Sequence, residues 1–296
     1  MNQNTHTMKS FKGLIMNFIT LAVAKLETGF SYLGSVNASA KLKKNGKVDK
    51  QHTYGLYLAP YNISGYNVCP NATKECMLGC LHASGRTAME MNSTCENRIQ
   101  NARIGKTRLL IEQQDYFMRW LITEIESKRK TASKKGFGFS VRLNCTSDVD
   151  WANIRLYGLN IFETFPNVQF YDYTKSVKKF DNKPENYHLT YSYTGRNWSE
   201  CKSVMSKGHN VAMIFNVKKE SDIPAMYKGY KVINGDLSDY RVKDGKGVIV
   251  GLKWKRIANK ANEAKVINSC FVVNVPNVQG LYQTAKVNVQ NLELVA

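Results

Sequence analysis

The run Phe139-Ser-Val-Arg-Leu-Asn144 is closed by Cys145-Thr-Ser-Asp148. Trp151 to Phe165 follows, and past Pro166 comes Val168-Gln-Phe-Tyr-Asp-Tyr173; this stretch decides the fold. The two outer runs are short and rich in β-branched and aromatic residues, which reads as strands. The segment between them reads as a helix stopped by Pro166. Strand, helix and strand in that order make a parallel pair, because antiparallel neighbours would be joined by a short turn.

The same rhythm extends in both directions. Upstream, Tyr54-Gly-Leu-Tyr-Leu-Ala59 reads as a strand, and Ser93 to Lys130 as a long helical stretch dividing near Gly105 or Gln113-Gln-Asp115. Downstream, Tyr187–Tyr191, Asn210–Phe215, Tyr230–Ile233, Val248–Lys253 and Ser269–Val275 read as further strands. About eight short strands, too far apart for hairpins, predict an α/β fold built as a partial or complete TIM-like βα barrel. A flat doubly wound sheet is the alternative, and no Gly-x-Gly-x-x-Gly follows any strand to support it. The expected division is a polar tail and helix over 1–27 and a single barrel-like domain over 28–296. Within it, Lys41 to Lys50 reads as a solvated basic loop turning at Asn45-Gly46.

Lys and Arg number 42 against 23 Asp and Glu, a formal charge of +19, which points to a polyanionic partner: nucleic acid or a nucleotide-like substrate. Seven cysteines, an odd count with no repeating framework, suit a reducing compartment. No apolar run reaches the ~20 residues of a membrane span. Leu14 to Ala24, preceded by Lys9 and Lys12 and ending Ala22-Val-Ala24, has features of a secretory signal. Asn17 and Thr20 interrupt it, and an amphipathic helix is the expectation.

After the first strand comes Cys69-Pro-Asn-Ala-Thr-Lys-Glu-Cys76-Met-Leu-Gly-Cys80, a Cys-x6-Cys-x3-Cys loop. Three thiolates are one short of closed tetrahedral zinc, and are the number that holds a 4Fe–4S cluster with one iron open. A structural zinc would need His82 or Cys95 as fourth ligand, and a loop without metal is the third possibility. The five histidines show no metal-ligand pairing, and His82 reads as a surface residue at a helix start. Cys145, Cys201 and Cys270 read as small core residues.

A parallel βα sheet gathers its active groups at the strand C-termini. Those ends are polar here. Arg142, Asn144 and Thr146 share one parity of their strand, and Tyr171, Tyr173 and Lys175 share one of theirs. Cys69, Cys76 and Cys80 are therefore the candidate metal ligands. Arg142, Asn144, Tyr171 and Ser192 are the candidate cofactor-binding residues, and Lys175, Tyr173 and Asp148 the candidate catalytic ones.

Ser64-Gly-Tyr-Asn-Val-Cys-Pro70, Cys80-Leu-His-Ala-Ser-Gly-Arg86, Arg142-Leu-Asn-Cys-Thr-Ser-Asp148, Val168 to Lys175, Val232-Ile-Asn-Gly-Asp236 and Gly247 to Lys253 form an ordered set. As a set they resemble a family of bacteriophage proteins known after the mycobacteriophage gene product 88, which implies a phage origin and action in the host cytoplasm. More distantly, the cysteine loop after the first strand is similar to that of radical S-adenosylmethionine enzymes. Their usual spacing is Cys-x3-Cys-x2-Cys, and they carry a Gly-Gly-Glu-like motif where this chain has Arg142-Leu-Asn-Cys-Thr-Ser. That resemblance implies an iron–sulfur enzyme using S-adenosylmethionine. A nucleotide or nucleic acid as its substrate is the reading of the charge. The rival expectation is a non-enzymatic nucleic-acid-binding phage protein with structural zinc or no metal.

Overall fold

The computed structural model describes residues 20–34, 36–37, 39–84 and 97–275. Side-chain alternation along strand β3 (Gly138–Arg142) separates the two faces of its sheet. Val141 points to a wholly apolar layer, whereas Ser140 and Arg142 point to a polar one. Around β3 lie β1 (Leu33–Gly34), β2 (Gln51–Leu56), β4 (Gln169–Thr174), β5 (Tyr187–Ser192) and β6 (Asn210–Asn216). Further along the chain come β7 (Met226–Tyr227), β8 (Tyr230–Asn234), β9 (Ile249–Lys253) and β10 (Val272–Asn274). The order is β1-β2-β3-β4-β5-β6-β9-β8-β7, with β10 also pairing β6. All pairings from β2 to β8 are parallel, as is β10 with β6.

The sheet is open, and the expected barrel does not close. The physical reason lies at the edges: β2 is capped by antiparallel β1 and β8 by antiparallel β7, so neither is free to pair with the other. The sheet nevertheless curls. Asp239, in the loop after β8, reaches Arg142 on β3 with Nη1···Oδ2 at 2.7 Å.

The apolar face is covered by helices. Leu110, Phe117, Trp120, Leu121 and Ile125 pack with Tyr54, Leu56, Val141, Leu143, Phe170 and Leu189 in one buried cluster. These helical residues belong to Arg98–Glu112 and Gln114–Lys134, so the expected long helix does divide at Gln113. Helix Trp198–Ser206 adds Cys201, Val204 and Met205 against Tyr191, Val211, Met213 and Phe215. Buried side chains of this size stabilise by ~1.5–3 kcal/mol each, so this face drives folding and leaves the other free for polar groups.

Two local expectations are corrected. Residues 41–50 do not form a solvated loop: Ala40–Val48 is a helix running through Asn45-Gly46. Asn45 is fully buried, donating to Thr53 Oγ1 at 2.8 Å and Tyr171 Oη at 2.9 Å and accepting from the Asp239 amide at 2.8 Å. The helix fills the gap between β2 and the loop after β8, and Lys41 is tied to Asp236 at 2.9 Å. Trp151 to Phe165 is helical only over Ile161–Thr164. Tyr157 and Gly158 adopt positive φ (50° and 81°), and Asn160 caps the short helix, so no helix can run through them.

Candidate functional site

The segment from β2 to Ser84 carries Cys69, Cys76 and Cys80 across the C-terminal ends of the strands. Its path is held by backbone and side-chain bonds. The Asp148 amide donates to Val68 O at 2.8 Å, and Thr146 Oγ1 donates to Leu58 O at 2.6 Å. Cys69 lies in a turn closed by its amide on Asn67 Oδ1, and Cys76 in the short helix Lys74–Leu78 capped by Thr73. Gly79 lets Cys80 close in: a Cβ there would stand 3.0 Å from the Trp254 ring and 3.1 Å from Val266.

A cavity of about 250 Å³ opens where these segments meet the strand ends. Cys69, Cys76 and Cys80 line it together with Arg142, Asn144, Asp148, Tyr173, Lys175 and Ser192. Tyr171 does not; it is fully buried one layer deeper, its hydroxyl among Asn45, Thr53 and Asp239. Cys145 also lines the cavity, Cys201 is buried, and Cys270 is exposed rather than a core residue. His82 is not at the surface: it is 6 % exposed and packs edge-on to Tyr61. Cys95 lies outside the described residues.

The three sulfurs are free thiols and feel one another. Burial pushes the Cys80 thiol up to about 12, and the nearness of Cys76 and Cys69 adds to this against the pull of the His82 backbone and Lys175. Burial likewise raises Cys69, with Cys76 adding to it. Lys175 sits among them. Burial works to lower its ammonium, but nearby Cys76 and Asp148 outweigh that and leave it raised. Among the described residues no three His, Cys, Asp or Glu side chains are grouped as a single metal ion requires.

The other lining residues divide by what they already bond. Asn144 is heavily engaged: Oδ1 accepts from Ser147 Oγ, Val149 N and Trp151 Nε1, and Nδ2 donates to Val149 O. Asp148 is equally engaged, by Thr174 Oγ1 at 2.8 Å, Lys175 N at 2.9 Å and Lys179 Nζ at 2.6 Å. Arg142 joins Asp239 and stands over the Tyr173 ring at 5.0 Å. Behind it, fully buried Asp172 accepts from the Leu143 and Asn144 amides and Tyr187 Oη. Burial lifts the Asp172 carboxyl to about 7 despite Arg142 and these donors.

Asp239, Trp254 and Lys255 also line the cavity and were not among the residues expected from the sequence. Trp254 and Lys255 directly follow β9, and a basic-aromatic run at a strand end was a usable sign. Asp239 lies in a loop, and nothing local marks it. No described helix is long and apolar enough to cross a membrane.

Comparison with known proteins agrees with the ordered motifs. Neither the curated proteins nor the solved structures contain a match to this chain. The family model described as gene product 88 matches residues 33–269, a span that holds the nine candidate residues lining the cavity, from Cys69 to Ser192. The chain belongs to the gene product 88 family.

Proposed function

We propose that this phage-family protein is an iron–sulfur enzyme of radical S-adenosylmethionine type acting on a nucleotide or nucleic acid. The observation carrying this reading is that Cys69, Cys76 and Cys80 line one cavity with Lys175 at the strand C-termini. Three free thiols facing one cavity are the number that holds a cubane with one iron open. When bound, such a cluster supplies one-electron chemistry and one open coordination position for S-adenosylmethionine.

The chain's own residues prepare the rest. The Lys175 ammonium beside Cys76 offsets thiolate charge in a site that burial has dehydrated. Asp148 has its oxygens committed to Thr174, Lys175 N and Lys179, so its work is to fix the segment that carries Lys175. Lys175 is then the group placed to exchange a proton with a substrate. Arg142 and Tyr173 shape the floor, and heavily engaged Asn144 keeps that floor rigid. The +19 chain attracts an anionic substrate.

Anaerobic purification with iron, sulfide and zinc analysis tests the reading. About four irons per chain are expected. Cys69→Ala, Cys76→Ala or Cys80→Ala should abolish the visible absorption and Cys201→Ala should leave it. Stoichiometric zinc without iron, from cells grown with ample iron, would end it.

A further inference from the structure

The same cavity has a cationic wall that the thiol chemistry does not use. It is lined by Lys41, Arg142, Lys253 and Lys255, with only Asp236 and Asp239 as carboxylates beside them. Two of the cations are matched. Lys41 Nζ lies 2.9 Å from Asp236 Oδ1, and Arg142 Nη1 lies 2.7 Å from Asp239 Oδ2. Asp236 also accepts from the Lys253 backbone amide at 2.7 Å, so it is fully engaged. The ammonium groups of Lys253 and Lys255 have no carboxylate within ion-pair distance among the described residues.

Two positive charges without a carboxylate partner, Lys253 half-buried and Lys255 exposed at the cavity's edge, call for a dianion. A phosphate monoester carries about −1.5 to −2 near neutral pH; a carboxylate would meet only half the charge. Lys255 shows the crowding: burial and then neighbouring Lys41 push its ammonium down from the ordinary lysine range. A bound phosphate would reverse that.

Next to this wall the cavity is aromatic. Trp254 donates Nε1–H to Glu263 at 3.3 Å, and Tyr193 donates its hydroxyl to Gly195 O at 2.9 Å. With their polar ends consumed, both rings offer apolar surface to whatever enters, as a base-stacking platform does. At about 250 Å³ the space is just below the ~300–1,000 Å³ usual for small-ligand sites. It suits one nucleotide and excludes a duplex.

Resting on the reading that this cavity is where the protein acts, we propose that its substrate is a free nucleotide. Its phosphate monoester is held by Lys253 and Lys255 beside Lys41 and Arg142, and its base lies against Trp254 and Tyr193.

The test is calorimetry on full-length protein prepared metal-free, so that it does not depend on a cluster. The four ribonucleoside monophosphates are titrated, each against its nucleoside, with inorganic phosphate as a further arm. At least one monophosphate should bind at least about tenfold more tightly than its nucleoside, since charge-assisted contacts are lost without the phosphate. Lys253→Gln with Lys255→Gln should erase that preference at an unchanged melting temperature, and Lys255→Arg should retain it. Equal affinity for nucleotide and nucleoside, binding of neither, or a preference surviving the folded double variant would overturn the subsite. Binding of inorganic phosphate with every nucleotide excluded would overturn the nucleotide assignment. Iron content read on separate, anaerobically purified protein of the same variants separates the two readings. Normal iron with no nucleotide preference sinks the subsite alone, and a preference without iron sinks the cluster alone.

Discussion

Arg142→Met is the substitution whose cost follows most directly from the structure. Arg142 and Asp239 are 11 % and 1 % exposed at their side chains and meet at 2.7 Å. Methionine fills similar volume but leaves the Asp239 carboxylate buried, with Tyr171 Oη at 3.4 Å as a hydrogen-bond donor and Lys41 and Arg241 acting on it without the direct contact that Arg142 made. Breaking a buried pair by removing one partner costs about 3–5 kcal/mol. For a chain of this size that is on the order of 6–10 °C in melting temperature. Burial acts to raise Asp239, yet Arg142, Lys41 and Arg241 together hold it below the ordinary aspartate range. Its folded pKa is therefore depressed, and its contribution is present above the unfolded value of ~3.8 and lost only as pH falls through the lower folded value. In the variant the burial effect takes over. The carboxyl then relieves itself by taking a proton as pH falls, and the deficit relative to wild type should shrink from pH 8 to pH 5. Urea unfolding followed by circular dichroism at both pH values measures this. A deficit under ~1 kcal/mol, or one the same at both pH values, would show that the pair is not the buried element described here.

Burial lowers His82 and His188 to about 4, so each binds a proton more readily when unfolded. Stability should be complete above pH ~6.5 and fall progressively toward pH 4, and His188→Gln should flatten that slope; an unchanged slope in the variant would exclude His188 as a source. Nucleic acid should bind with affinity that drops steeply with salt, through the end of helix Gln114–Lys134 rather than through Lys41 and Lys44, which are tied to Asp236. Lys134→Glu with Lys135→Glu should reduce the salt slope by roughly one per lost phosphate contact, and filter binding with an unchanged slope would remove this surface from consideration.

The parallel strands were legible because their alternation and length survive in the sequence without help from distant contacts. Tyr187–Ser192 and Asn210–Asn216 differ from the reading by one residue at an end. What failed were segments whose conformation is decided by partners far along the chain. Asn45-Gly46 looks like a turn locally, yet Asn45 is needed as a buried bridge to Thr53, Tyr171 and Asp239, and a helix delivers it there. Tyr157 reads as a helical residue, but Asn160 offers its own cap, and the chain turns instead. Barrel closure depends on whether the edge strands are capped, and two-residue strands such as β1 and β7 leave no periodic trace. The candidate site was legible to the extent that strand direction is: once the pairs are parallel, the loop after β2 and the ends of β3, β4 and β5 lie on one side. Asp239, in the loop after β8, enters only through the curl of the sheet.

That curl explains why so much charge can sit in one small space. The apolar face of the sheet is satisfied by the helices, so the polar face need not be buried against another layer. Arg142, Asp239, Lys41 and Asp236 neutralise one another in pairs there, which makes the floor affordable in a dehydrated site. The thiols follow a different logic. Burial favours the neutral thiol of Cys69 and Cys80, and Lys175 has Asp148 close by. A cation or cluster that enters must displace those protons, and its binding then strengthens as pH rises. Cys69 and Cys80 thus turn anionic as something positive takes the place of their protons, while the Lys253 and Lys255 side chains line the same cavity. A cavity arranged this way keeps its two walls from neutralising each other, and so can hold a positively charged centre and an anionic substrate side by side.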